Sequence, residues 1–287
     1  MDIGIGLPNA VLGATGPGLL EWAQRAEAAG FSTLASIGGV SYESYEELTV
    51  FAAAAAVTQR IRLTTNVLIG PARSAAELAK QAATVDQLSS GRLVLGVGVG
   101  WRPADFVLTG RDFDQRGTLF DQQLRDLKTA WSGQELAPGT RPVAPAPVQN
   151  PIPILVGGTT QAAVRRVVEH GVGWTAGGMP PDAVADFARQ VKAAWSDAGR
   201  DGTPRVLALV YFGLGDTEEE SRRNIRHYYE PRGDEVAGMI ADSVLRSPDA
   251  VRGAIQAYRD AGVDELVLDP SVADPAQVEL LAEAALG

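Results

Sequence analysis

The feature that most constrains this chain is an alternation repeated from end to end: a short apolar run, then a stretch with helical spacing, eight times over. The runs are "IGIGL" (3–7), "STLASI" (32–37), "IRLTTNVLI" (61–69), "RLVLGVGV" (92–99), "PILVGG" (153–158), "VGWTAGG" (172–178), "RVLALVYFG" (205–213) and "DELVLDP" (264–270). Each is near-continuously apolar, the pattern of a strand buried on both faces of a parallel sheet. Between them lie helical patterns such as "GLLEWAQRAEAAG", "SAAELAKQAATVDQLSSG" and "PDAVADFARQVKAAWSDAG". Ser74 and Glu77 have capping-box spacing at one helix start. Eight strand-plus-helix units in 287 residues predict one α/β domain, a single (β/α)8 TIM barrel over 1–287. A doubly wound sheet is the alternative, but Gly96-x-Gly98 meets Trp101 where the dinucleotide fingerprint needs glycine. The proline-rich stretch at about 135–153, "ELAPGTRPVAPAPVQNPIP", is expected to be a long surface connection within that domain.

Composition narrows the chemistry. A formal net charge of −10 argues against nucleic acid and against an anionic membrane surface. With no cysteine there is no disulfide, thiolate metal site or thiol nucleophile, and the two histidines, His170 and His227, lack metal-ligand spacing, so no metal is expected. His170 fits a helix end, where it complements the negative pole, and His227, after the seventh strand, fits an exposed helix face or else a reach to the barrel mouth. No run is long enough for a membrane span, and the N-terminus lacks a signal-peptide pattern, so a cytoplasmic protein is expected.

In a barrel of this kind the reactive groups sit where strands end. Those ends include Leu7–Asn9, Ile37–Ser41, Asn66–Pro71, Gly96–Arg102, Gly157–Thr160, Thr175–Met179, Tyr211–Gly215 and Asp269. "VGGTT" and "TAGGM" stand out: glycines leading into a helix expose N–H groups at its positive end beside threonine hydroxyls, an arrangement that suits phosphate. The same glycines would also serve a tight turn with no ligand.

The stretches "TTNVLIGPARSAAELAKQAATVDQLSSGRLVLGVGVGWRPADF", "FDQRGTLFDQQLRDLKTAWSG" and "PIPILVGGTTQAAVRRVVEHGVGWTAGG" resemble the bacterial-luciferase-like flavin-dependent oxidoreductases over nearly the whole chain. The resemblance implies a (β/α)8 barrel and either reduced FMN or the deazaflavin coenzyme F420. It places Thr65, Asn66 and Val67 behind the flavin ring, at a bulge or non-proline cis peptide. Gly98 and Gly100 would let the ring approach the backbone, Gly157, Gly158, Thr159 and Thr160 would form the phosphate turn, and Gly177 and Gly178 would neighbour it. Trp101 would edge the pocket or pack within the core. Where many F420 enzymes carry a catalytic histidine after the second strand, this chain has Gly38 and Gly39; Tyr42 and Tyr45 are the nearest candidate proton donors, and either is equally well a wall residue.

Three functions follow as expectations. One is a monooxygenase using reduced FMN and dioxygen on a small organic substrate, with a separate flavin reductase as partner. A second is an F420-dependent hydride-transfer enzyme, for which the acidic tail of the coenzyme would need basic groups at the rim, such as Arg73 and Arg102. A third is a flavin-binding protein without turnover. Relatives of this type are often dimers, though no motif here requires a homodimer.

Overall fold

The computed structural model describes residues 1–287, and all its strands belong to one parallel sheet that closes on itself. The strands are β1 (Asp2–Gly6), β2 (Thr33–Ser36), β3 (Arg62–Thr65), β4 (Leu68–Ile69), β5 (Leu93–Gly98), β6 (Ile154–Gly157), β7 (Gly173–Thr175), β8 (Arg205–Phe212) and β9 (Glu265–Pro270). Neighbours run β3-β2-β1-β9-β8-β7-β6-β5-β4, and pairing of β3 with β5 closes the ring. Because β3 and β4 are two halves of one stave, the barrel has eight staves. Counted either way round, β8 stands four places from β3, so the two face each other across the mouth.

The helices are α1 (Gly16–Ala29), α2 (Glu47–Val57), α3 (Ala75–Leu88), α4 (Pro103–Thr109), α5 (Arg116–Trp131), α6 (Gln161–His170), α7 (Pro181–Asp197), α8 (Glu218–Tyr229), α9 (Asp234–Asp242), α10 (Pro248–Asp260) and α11 (Gln277–Ala285). Their apolar faces pack on the outside of the barrel in one large core that includes Trp22, Phe51, Phe120 and Trp174, all fully buried. Ser74 caps α3 as its spacing predicts: its hydroxyl accepts from the Glu77 N–H at 3.2 Å and donates to the Glu77 carboxylate at 2.7 Å.

Inside the barrel the side chains stack in layers, as expected when alternate residues of every stave point inward. The floor is ionic: Arg62 and Arg205 each pair with Asp2 and Glu265 at 2.7–3.2 Å. Above it lies an apolar layer of Ala35, Leu155, Leu207 and Val267. The top layer, at the strand C-termini, is where function is expected.

Two features depart from the sequence reading. The run 61–69, read as one strand from its apolar pattern, is broken: the Asn66–Val67 peptide is cis, as the family resemblance implies, and separates β3 from β4. Two short helices, α4 and α9, occupy stretches that carried no helix in the strand-and-helix pattern. Residues between Trp131 and Ile154 form no regular element, in keeping with their prolines, and are tied back to α3 by Lys80 and Gln87 donating to the carbonyls of Ala144 and Ala146.

Candidate active site

The cavity at the strand C-termini has a volume of about 390 Å³, within the range of small-molecule sites. One side is built by β3/β4, β5, β6 and β7, through Asn66, Val67, Gly98, Gly100, Gly157, Gly158, Thr159, Gly177 and Gly178. The other is aromatic: Trp101, Tyr211 at the end of β8, and Tyr228 and Tyr229 at the end of α8, with Arg232 at the mouth.

The glycines of β5 have a reason that does not require a ligand. A Cβ at Gly96 would stand 1.9 Å from the carbonyl oxygen of Thr65, and one at Gly98 would stand 2.9 Å from a Val67 methyl. At Gly100 it would meet Ile69 at 2.6 Å. Gly98 and Gly100 both line the cavity, and their Cβ positions are closed by the chain itself rather than left open. What approaches them is the chain's own β3–β4 segment, which they admit so that Val67 lies at the cavity surface. Gly157 serves the same end, 3.1 Å from the other Val67 methyl. Open space lies instead over Gly177, where nothing stands within 4 Å of a Cβ, and over Gly178, where only the Leu209 carbonyl does, at 4.0 Å.

Asn66 is held by a bond across the barrel. Thr175 on β7 donates to its Oδ1 at 2.6 Å, which leaves Nδ2 buried with no partner in the protein. An unpaired buried amide costs about 1–3 kcal/mol, so it is a donor poised for something absent from the protein. At the neighbouring turn, Trp174 donates to the Gly158 carbonyl at 2.8 Å and fixes the exit of β6. Thr160 lies outside the cavity lining; its hydroxyl caps α6 by accepting from the Ala163 N–H. Thr159 remains at the positive end of the helix and lines the cavity.

The two tyrosines expected as proton donors stand elsewhere. Tyr45 is largely exposed and donates to the Ala14 carbonyl at 3.3 Å. Tyr42 packs edge-on against Tyr228 and beneath Arg102; burial pushes its hydroxyl up to about 12. Neither lines the cavity. The arginines expected at the rim are also engaged. Arg73 pairs with Glu46 and Glu47 at 2.7 and 2.9 Å, and Arg102 is buried, donating to the Tyr228 carbonyl at 2.9 Å with its guanidinium 4.2 Å from the Trp101 ring centre. Trp101 edges the cavity, the first of its two expected roles. His227 sits half-exposed 3.7 Å from Glu43, and His170 at the last turn of α6.

Sequence reasoning singled out Tyr211 only as part of a strand end and missed Tyr228, Tyr229 and Arg232. The hydroxyls of Tyr211 and Tyr229 lie 2.9 Å apart, and burial pushes both well above the ordinary phenol range, so they are neutral donors. Asp269, in register with Tyr211 on β9, is buried without a hydrogen bond, and burial raises its carboxyl well above the usual range.

Comparison with known proteins agrees with this architecture. The chain belongs to the luciferase-like monooxygenase family, whose pattern matches residues 1–284. It is 35% identical over 166 residues to a protein of unassigned function from Mycobacterium tuberculosis, a match covering 55% of this chain and 58% of that one. It is 27% identical to an FMNH2-dependent dimethylsulfone monooxygenase from Pseudomonas putida, over 84% of this chain and 66% of the relative. The chain thus spans between about half and two thirds of the length of these relatives. In fold it is similar to an F420-dependent secondary alcohol dehydrogenase solved with an F420–acetone adduct, at 16% identity and a TM-score of 0.79, covering 99% of this chain and 98% of that one. Of these similar proteins, the sequence relative is named as FMNH2-dependent and the fold neighbour as F420-dependent.

Proposed function

We propose that this chain is a monooxygenase that takes reduced FMN from a separate flavin reductase and oxidises a small organic substrate with dioxygen. The observation that carries the reading is the wall from β3/β4 to β7: Val67 held at the surface by glycines, open space over Gly177 and Gly178, and the unpartnered Asn66 amide beside them. This surface fits a flat heteroaromatic ring with acceptor atoms on its edge. The positive end of α6, with Thr159, suits the phosphate.

Such a group, when bound, would supply two electrons to dioxygen, and the substrate two more as it takes up one oxygen atom while the other leaves as water. The protein's part is to hold and shield. Asn66 would donate to the ring edge, Val67 with Gly177 and Gly178 would hold its plane, and Trp101 would help to keep water from it. No carboxylate lines the cavity to serve as a base, in keeping with a reaction whose difficult step belongs to the cofactor.

The resemblance to F420 enzymes gives the alternative of hydride transfer. The engagement of Arg73 and Arg102 weighs against it, because of the rim arginines an acidic tail would find only Arg232 unpaired. Anaerobic titration with FMN, reduced FMN and F420 separates the readings. Preference for reduced FMN, with substrate-dependent oxygen uptake, is expected; a preference for F420 without oxygen uptake would overturn the monooxygenase reading. Tight flavin binding with no turnover of any substrate would favour a flavin-binding protein instead.

A further inference from the structure

The mouth of the barrel has two unlike halves, and the one facing away from Val67 carries chemistry that flavin binding does not use. Tyr211 projects from β8, the stave opposite β3. Its hydroxyl meets that of Tyr229 at 2.9 Å, and neither makes another hydrogen bond within the protein. In such a pair one O–H is spent on the partner and the other is left to donate. Beyond them Arg232, exposed at the rim, lies 5.3 Å over the Trp101 ring and forms no ion pair, an unmatched cation on a molecule whose net charge is −10. Trp101 and Tyr229 are nearly parallel, with an interplanar angle of 10° and ring centres 6.5 Å apart.

We propose that Tyr211, Tyr229 and Arg232 form the substrate-oxygen subsite of this cavity, and that the substrate is a planar organic molecule presenting a phenolate or enolate oxygen. A neutral hydroxyl pair suits an anionic acceptor, because charge-assisted hydrogen bonds are about twice as strong as neutral ones. Burial raises both tyrosine hydroxyls and the nearby Asp269 carboxyl, which disfavours the charged form of each and so lessens the like charge facing the oxyanion. The aromatic rings supply flat apolar walls, and Arg232 draws the anion to the mouth. The subsite is positioned by Arg102, whose guanidinium contacts the rings of Tyr42, Trp101 and Tyr228 and whose bond to the Tyr228 carbonyl holds the end of α8.

This assignment rests on the flavin reading for which half is left to the substrate, and its test reads the two separately. The probe is 4-nitrophenol, whose yellow phenolate band reports its ionisation, titrated into the whole protein below the probe's own pKa; 4-nitroanisole, which cannot ionise, is the control. FMN affinity is measured on the same samples by fluorescence quenching. The wild-type protein is expected to draw out the phenolate band and to bind the anisole far more weakly. Tyr229→Phe and Tyr211→Phe are each expected to weaken phenolate binding about tenfold or more, the worth of one hydrogen bond to a charged group, with FMN affinity kept. Arg232→Ala is expected to weaken it less and to remove its salt dependence. No phenolate band with the wild type, or equal phenolate affinity in wild type and both tyrosine variants, would overturn the subsite. Loss of wild-type FMN binding alone would overturn the flavin reading instead. Unchanged melting temperatures in the phenylalanine variants establish that the fold is intact.

Discussion

At the scale of the residue, glycines that look alike in the sequence divide into two kinds. Gly96 has a neighbour's carbonyl oxygen 1.9 Å from where its Cβ would be, and Gly178 has almost nothing. Gly96→Ala is therefore expected to destabilise the protein by roughly 3 kcal/mol or more, because backbone cannot yield as a side-chain tip does. Thermal denaturation would check it. Gly178→Val is expected to leave the melting temperature nearly unchanged and to lower FMN affinity at least tenfold by projecting into the cavity. Asp269 gives a third test. Its folded-state pKa is raised above the unfolded value by burial, so the folded protein keeps a proton that the unfolded chain releases. Stability contributed by this group is full below the unfolded pKa and falls by about 1.4 kcal/mol per pH unit as pH rises toward the folded value. Asp269→Asn removes that dependence. Its stability relative to wild type is expected to grow with pH above about 4, as read from melts across a pH series; parallel profiles would show that Asp269 is not held neutral.

The behaviour of whole elements turns on a few polar contacts at their ends. Glu27, near the end of α1, accepts from the backbone N–H groups of Gln59, Arg60 and Ile61 and so ties α1 to the turn that enters β3. Partial burial pushes its carboxyl up, but the backbone donors outweigh it and the net shift is downward. A lowered folded pKa means stability that is present above the unfolded value and lost as pH falls through the folded one. Glu27→Gln is therefore expected to cost stability at neutral pH, with the deficit disappearing in acid. The sequence made most elements legible, because eight apolar runs with helical spacing between them leave few alternatives. What it hid were details set by distant neighbours. The break of 61–69 into β3 and β4 is invisible in the apolar run and legible only through the family resemblance, because Gly96 and Gly98 across the sheet make the room for it. The short helices α4 and α9, of seven and nine residues, give too few turns for a periodic signal, although Pro103 at the first position of α4 is a start signal that could have been used.

Across the whole molecule, the barrel sorts chemistry by height: an ion-paired floor, an apolar middle, and a mouth divided between a glycine-lined wall and an aromatic one. The first wall was legible because strand ends are read directly from the chain. The second was not, because Tyr228, Tyr229 and Arg232 lie at or just past the far end of α8, the helix that follows β8, and reach the cavity only when α8 folds back over it. Tyr42 and Tyr45 stand out for the opposite reason: they follow β2 closely, yet the loop, with Ser41 bound to Asp105 at 2.7 Å, places Tyr42 behind Tyr228 and Tyr45 on the surface, both off the cavity. The central claim is that the Val67 and glycine wall holds a flavin. It is tested most directly by titrating FMN into wild type and Gly178→Val side by side and following quenching of flavin fluorescence. Saturable binding by the wild type, weakened at least tenfold in the equally stable variant, is the predicted result. Equal affinity in the two, or no binding by the wild type, would contradict it.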